Sequence, residues 1–507
     1  MRKTKCIALI LALIFVLSLA VSCGKDNADE SSAPAAESKT ETVSAADESG
    51  EEVSEAPKGP LDHLETQFLD RECVFLVENQ NGGGYGSKEI MPNEDISSVG
   101  AAIAPHIEER NDLIYDKLGV TISEIRTDNM TNDLRNAALT VPEFDIACPY
   151  LTTAGPLITE GIFYDLYDFS DIINFDAPYW DQNAETSLSV GNKLYVTTGD
   201  FSLNTLDVTH CMLFNKQVIE EKGLESPYQL VRSGKWTMDK MLEMAKAVTA
   251  ESDGEDGITY KDTIGLFING NYSNSLFIGS GESFVKKDNN GVPQLVMYNE
   301  NSANVVQKIF DVFHDDAAIY MEGYNAKAIA DGYTNCYWAS RDRLANNGAL
   351  FVTISLSDIF NLDDYDTSNI GLLVTPKFTE EQDTYHSYIS IIYGTGCVIP
   401  VGNEDPEFAA LVLEALNASS TDIVKHNYYD RILKGQKTSD EDSDEMLNYI
   451  FDNRVYDLGA MMWANMRDVL TSVCVTAASN NFTSTYESNE GTYQKQMEDL
   501  IDFAENS

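Results

Sequence analysis

Apolar residues in this chain fall in short runs broken by glycine, proline and acidic clusters. Cys73 to Val77 (CVFLV) is continuous and ends at Glu78-Asn79-Gln80. It predicts a buried strand, and Gly82, Gly83 and Gly84 predict a loop after it. Pro105 opens a predicted helix that Gly119 closes, with Ile107, Ile114 and Leu118 toward one face. VTISEI at 120–125 alternates as a strand does, 130–139 reads as a helix, and FDIAC at 144–148 is a strand ending at Pro149-Tyr150. Strand, helix, strand, helix, strand is the order of a parallel sheet with crossover helices.

The stretch 174–203 interrupts that order. DVTHCMLFN at 207–215 then predicts a strand, and Lys216 to Lys222 a short helix stopped by Gly223. Thr237 can cap a helix with Asp239 in its first turn. Met238, Met241, Leu242, Ala245 and Val248 give that helix one apolar stripe. SFVKKDNNGVPQLVMY at 283–298 reads as a hairpin turning at Asp288 to Gly291. ALFVTIS, GLLVTP and GCVIPV are later strands, Asp405-Pro406 starts a helix to Asn417, and the tail, including 460–478, is mostly helical. No repeat is present. An α/β class with more than one lobe follows, because the chain from Leu61 onward is too long for one ordinary core.

The amino end differs. Arg2, Lys3 and Lys5 precede an apolar run from Ile7 to Val21, the layout of a secretory signal over 1–22. The run is shorter than the ~20 residues of a typical membrane span. Leu19-Ala20-Val21-Ser22-Cys23 resembles the bacterial lipobox, which implies lipidation of Cys23. The rest of 23–60 is mostly Ser, Ala, Glu, Asp, Thr and Pro, with Val43 and Val53 its only large apolar side chains. Such a segment cannot offset its ordering entropy and is expected to be a tether.

Charge narrows the partners. The chain carries 34 Lys plus Arg against 82 Asp plus Glu, a formal charge of −48. Nucleic acid is excluded, because phosphate binding needs clustered cations. Membrane contact is expected through the lipid alone. Cys73, Cys148, Cys211, Cys336, Cys397 and Cys474 are far apart, with no CxxC, and are expected to be buried free thiols.

Motifs for covalent or metal chemistry are missing: no phosphate-binding GxxxxGK[ST], no GxSxG and no HExxH. The six histidines never cluster; His314-Asp315-Asp316 reads as a solvated helix face. No cofactor or metal is expected. Paired carboxylates for glycoside hydrolysis stay open, since 82 acidic residues hide any such pair. Aromatics make up 10% of the chain, and several follow predicted strand ends, where α/β sheets bind ligands. Aromatic faces stack on sugar C–H faces, and neighbouring polar groups bond hydroxyls.

The stretch 211–249, CMLFNKQVIEEKGLESPYQLVRSGKWTMDKMLEMAKAVT, resembles family 1 of the extracellular solute-binding proteins, carbohydrate receptors of ABC importers. Phe214-Asn215-Lys216, Gly223-Leu224 and Gly234 to Thr237 carry the resemblance, with GNKLYVTTGD, ERNDLIYDKLGVTI, VTPKFTEEQDTY and DNRVYDLGAMMW in matching order. The resemblance implies a two-lobed type II periplasmic-binding-protein-like fold. It puts one lobe at 61–198 plus 397–445 and the other at 203–392 plus 446–507. The crossings are then near 195–203, 390–397 and 440–455. It implies a monomeric, non-enzymatic receptor for a mono- or oligosaccharide, working with an ABC permease on the outer face of the cytoplasmic membrane. By position, Asn79, Tyr150, Asp200, Trp338, Tyr393 and Trp463 are implied for the cleft, with Trp180 and Tyr85 second. Tyr150 and Trp463 would stack, and Asp200 and Asn79 would bind hydroxyls. Trp236 is expected to pack inside the second lobe. A peptide or other solute receptor of the same fold, a surface hydrolase and a polymer-anchoring lipoprotein are the alternatives.

Overall fold

The computed structural model describes residues 59–65, 67–79, 85–94, 98–254, 256–362, 365–429 and 440–506. The expected signal segment, Cys23 and most of the tether lie outside the described residues, as does the glycine loop 82–84.

Twelve strands follow one another: β1 Arg71–Glu78, β2 Val120–Thr127, β3 Ile146–Cys148, β4 His210–Asn215, β5 Ile264–Ile268, β6 Val285–Lys287, β7 Pro293–Leu295, β8 Ala318–Tyr320, β9 Ala349–Ser355, β10 Ile370–Leu373, β11 Ser387–Tyr388 and β12 Arg454–Val455. They build two α/β lobes. The first sheet has the order β2-β1-β3, all parallel, with Arg71 opposite Val120 and Phe75 opposite Ile146. The second has the order β10-β4-β9-β5-β8, in which β5 runs parallel to β8 and β9, and β4 runs against β9. The carboxyl ends of β5, β8 and β9 therefore share one edge with the amino end of β4.

Several expectations shift in detail. The first helix spans Ser98–Leu118, so Pro105 lies inside it. Burial of Val99, Ile103 and Ala104 favours that earlier start over the break proline would otherwise impose. Gly119 closes it at φ +69°, and a Cβ there would lie 2.1 Å from the Phe68 carbonyl oxygen. GCVIPV forms no ladder strand. Its residues make single bridges, Cys397 to Thr197, Val398 to Ala147 and Pro400 to Phe163, which tie the second predicted crossing to the first lobe. The stretch 460–478 is broken into Leu458–Met462, Ala464–Arg467, Val469–Thr471 and a π-helical turn at Ser472–Thr476. Asp440 pairs with Lys216, and Ser443 bonds Tyr228 at 2.8 Å and accepts from the Leu372 N–H of β10 at 3.2 Å. The hairpin at β6–β7, the helix Met238–Val248 and the six buried free cysteines agree with the pattern. Trp236 is 0% exposed and donates to the Val374 carbonyl.

Where the sheets meet, a charged pair is buried. Lys88 Nζ lies 2.7 Å from Asp207, with side chains 1% and 3% exposed. Lys88 also donates to Asn204 at 2.6 Å, and the Tyr428 hydroxyl donates to Asp207. Asn204 Nδ2 in turn donates to Tyr85 O and Thr395 Oγ1, and its backbone N–H donates to Glu89. Removing one partner of such a pair leaves the other charge uncompensated. Lys88→Met is therefore expected to lower the unfolding free energy by about 3–5 kcal/mol in urea denaturation. Adding Asp207→Asn should recover part of that loss.

Candidate functional site

A cavity of about 1080 Å³ opens at the shared edge of the second sheet. Its floor follows from the strand order. Asn269 and Gly270 follow β5, Glu322 lies just beyond β8, Ser357 and Asp358 follow β9, and His210 begins β4. One wall is the helix Cys336–Ala345. Asn335 caps it by accepting from the Trp338 N–H at 3.1 Å, and the i, i+3 spacing sets Trp338 and Arg341 on one side. The Arg341 guanidinium lies 4.9 Å from the Trp338 ring and donates to Asp358 Oδ1 at 2.6 Å. The opposite wall holds Tyr85 and Tyr393, whose rings stack at 4.5 Å and 3°. Tyr150 meets Tyr393 edge-on at 5.5 Å. The hydroxyls of Tyr85 and Ser357 share a hydrogen bond of 3.3 Å across the cavity.

Burial shifts the titratable groups of the floor. Desolvation raises the Glu322 carboxyl from its ordinary value. Both its oxygens accept from the Gly270 N–H at 3.2 Å, and the Tyr337 hydroxyl donates to it at 3.0 Å. His210, 3% exposed, bonds the Ser275 hydroxyl through Nδ1 and stacks on Tyr272 at 5.7 Å. Desolvation lowers its imidazole to about 4, so it is neutral at physiological pH. No group of three His, Cys, Asp or Glu able to hold a metal ion occurs among the described residues.

Of the residues expected in the cleft, Tyr85, Trp338 and Tyr393 line the cavity. Tyr150 packs behind them, and its hydroxyl donates to Tyr85 O at 3.0 Å. The others are elsewhere. Asn79 donates to Asp128 at 3.0 Å beyond the end of β1. Asp200 lines a separate cavity of about 350 Å³, paired with Lys425 at 2.5 Å and accepting from Thr421. Trp180 is 1% exposed, a core residue whose indole donates to Glu414 at 3.0 Å. Trp463 precedes the short helix Ala464–Arg467, half-buried against the core. Sequence reasoning missed Asn269, Glu322, Arg341, Asp358 and His210. Ile264–Ile268, an apolar run before Asn269-Gly270-Asn271, carried a readable strand-end signal for the first of them. Nothing local marks Glu322.

His210 gives a pH test. The unfolded imidazole takes up a proton below about 6.5, whereas the folded one does so only near 4. Between those values the unfolded state binds more protons, so stability falls as pH falls. The advantage of the native protein over His210→Gln should therefore shrink by about 3 kcal/mol between pH 7 and pH 4. Urea midpoints at both pH values measure it, because Glu78 and Glu89, raised to about 7, are common to both proteins and cancel.

Solved structures share the fold. The sugar-binding protein MalE of Xanthomonas citri aligns over 85% of this chain and 98% of its own, at 12% identity and a TM-score of 0.55. A cyclo/maltodextrin-binding protein complexed with maltotetraose aligns over 87% and 98%, at 11% identity and 0.52. An ABC substrate-binding protein of Listeria monocytogenes, in complex with cycloalternan, aligns over 84% and 99%, at 11% and 0.50. No curated protein matches in sequence. Residues 106–422, more than half of the chain, match the family model described as bacterial extracellular solute-binding protein, and the chain belongs to that family.

Proposed function

We propose that this protein is the carbohydrate receptor of an ABC importer, capturing a mono- or oligosaccharide between its lobes and delivering it to a membrane permease. The observation that carries the reading is the cavity at the ends of β5, β8 and β9. It combines the aromatic faces of Trp338 and Tyr393 with hydrogen-bonding groups from Asn269, Glu322, Arg341 and Asp358. That mixture suits a ligand with alternating C–H faces and hydroxyls. The sugar complexes of the structures that share the fold support it.

In this reading one lobe is 61–198 with the return from 397, and the other is 203–392 with the carboxyl-terminal part. The bonds of Asp440 and Ser443 to Lys216 and Tyr228 favour counting 440–445 with the second lobe. Ligand binds the second lobe first, because most of the lining belongs to it, and contacts from Tyr85 and Tyr393 then favour closure. A signal peptide over 1–22 would direct export, and lipid on Cys23 would then hold the receptor on the outer face of the cytoplasmic membrane. Such anchoring raises the effective concentration at the permease. The receptor acts as a monomer.

A thermal-shift screen of the purified protein against mono- and oligosaccharides tests this, with the incubated sugars checked for cleavage. A ligand-specific rise in Tm with intact sugar is the expected result. Cleaved sugar, or a shift with peptides alone, would overturn it. For the sugar so identified, Trp338→Ala should weaken binding by roughly 10–100-fold in calorimetric titration, through loss of the stacking face and of the packing that holds Arg341.

A further inference from the structure

We infer that the cleft takes a saccharide without anionic groups and rejects carboxylate-bearing sugars, and that Glu322 is the residue that enforces this choice. The inference rests on the carbohydrate reading and narrows it to a ligand class.

Four carboxylates line the cavity, Asp207, Glu322, Asp358 and Asp468; of the basic side chains among the described lining residues, Arg341 is charged and His210 is neutral at physiological pH. Three of the four are compensated. Asp207 pairs with Lys88 at 2.7 Å, Asp358 with Arg341 at 2.6 Å and Asp468 with Arg467 at 2.8 Å. Those cations are thereby committed. Lys88 and Arg341 are also deeply buried, with side chains 1% and 4% exposed. Glu322 differs: its hydrogen-bond donors are the Gly270 N–H and the Tyr337 hydroxyl, both uncharged. No basic side chain among the described residues forms an ion pair with it.

One feature pulls the other way. The amino end of the helix Cys336–Ala345 borders the cavity, and such an end attracts anions. Here the Asn335 side chain already accepts from the Trp338 N–H. A ligand carboxylate would therefore meet Glu322 with no free cation beside it, in an enclosure where charges are weakly screened. A hydroxyl or an amine in the same place donates to Glu322. Selectivity of this kind comes from a repulsive element rather than from an added contact.

The test compares a neutral saccharide that binds with its uronate counterpart, in which the hydroxymethyl group is a carboxylate, by titration calorimetry. The reading is the ratio of the two affinities within each protein, so a general weakening by a substitution cancels. The native protein should bind the uronate about tenfold or more weakly. Glu322→Gln should narrow that gap by about threefold or more. Asp358→Asn, which releases Arg341 from its partner, should move the ratio the same way and serves if the first variant folds poorly. Equal affinities in the native protein, or a folded Glu322→Gln variant with the native ratio, would overturn this inference and leave the carbohydrate reading standing. Failure of every saccharide to bind would overturn the carbohydrate reading, and this inference with it.

Discussion

The buried pair of Lys88 and Asp207 is the constraint on which the arrangement of the sheets depends. Lys88 belongs to the segment after β1, and Asp207 ends the short helix Leu203–Asp207 that leads into β4. A buried ion pair is poor evidence of stability, because desolvation offsets much of its attraction. Its geometry is nevertheless hard to replace. Asn204, Thr395, Tyr428 and Glu89 bond around it, and Arg110 donates to the carbonyls of Glu89 and Ile90. Desolvation brings Arg110 down to about 9. Any shift of one segment against the other would strand several of these groups without partners. The network thus fixes how the chain passes between the sheets.

That fixed passage is what gives the sheet edge a use. The carboxyl ends of β5, β8 and β9 leave backbone and short polar side chains pointing out of the sheet, as open α/β sheets do. With the crossing segments held in place, the stacked rings of Tyr85 and Tyr393 stand opposite those ends. The lining is unequal: Tyr85 and Val99 are its contribution from before residue 200, and residues 207–361 provide most of the rest. A two-lobed receptor built this way can hold its ligand on one surface and use the other to complete the enclosure.

The acidity of the chain has separate meanings outside and inside. A charge of −48 favours solubility and sets what the surface repels. Buried carboxylates serve instead as acceptors. Glu414, with its side chain 0% exposed, takes hydrogen bonds from Trp180, Tyr179 and the Asn174 N–H. Asp457 accepts from the backbone of Ala460 and Phe284 and is raised to about 6 by desolvation. Glu322 sits between these cases: it lines the floor of a cavity, and the donors it accepts from there, the Gly270 N–H and the Tyr337 hydroxyl, are both uncharged.

Local pattern was enough for the strands at 73–77, 120–125 and 349–355, the hairpin at 288–291 and the helix after Thr237, because each is written in spacing along the chain. The solute-binding family was legible in the run from Phe214 to Val248, and Tyr85, Trp338 and Tyr393, expected for the cleft by position, line the large cavity. Asp200 and Trp180 line the smaller cavity instead, and sequence alone does not tell the two places apart: aromatic and acidic side chains look alike whether they face one cavity, another or a buried partner such as Glu414. Glu322, Asp358 and His210 are far apart in the chain; parallel pairing of β5 with β8 and β9 brings the first two to one edge, and antiparallel pairing of β4 with β9 brings His210 there. Sequence by itself determined the periodicities, the charge and the family likeness, because these depend on near neighbours. Only the tertiary structure decided which carboxylates find a cation and which one is left facing the cavity, because ion pairing acts through space between segments that the chain order does not relate.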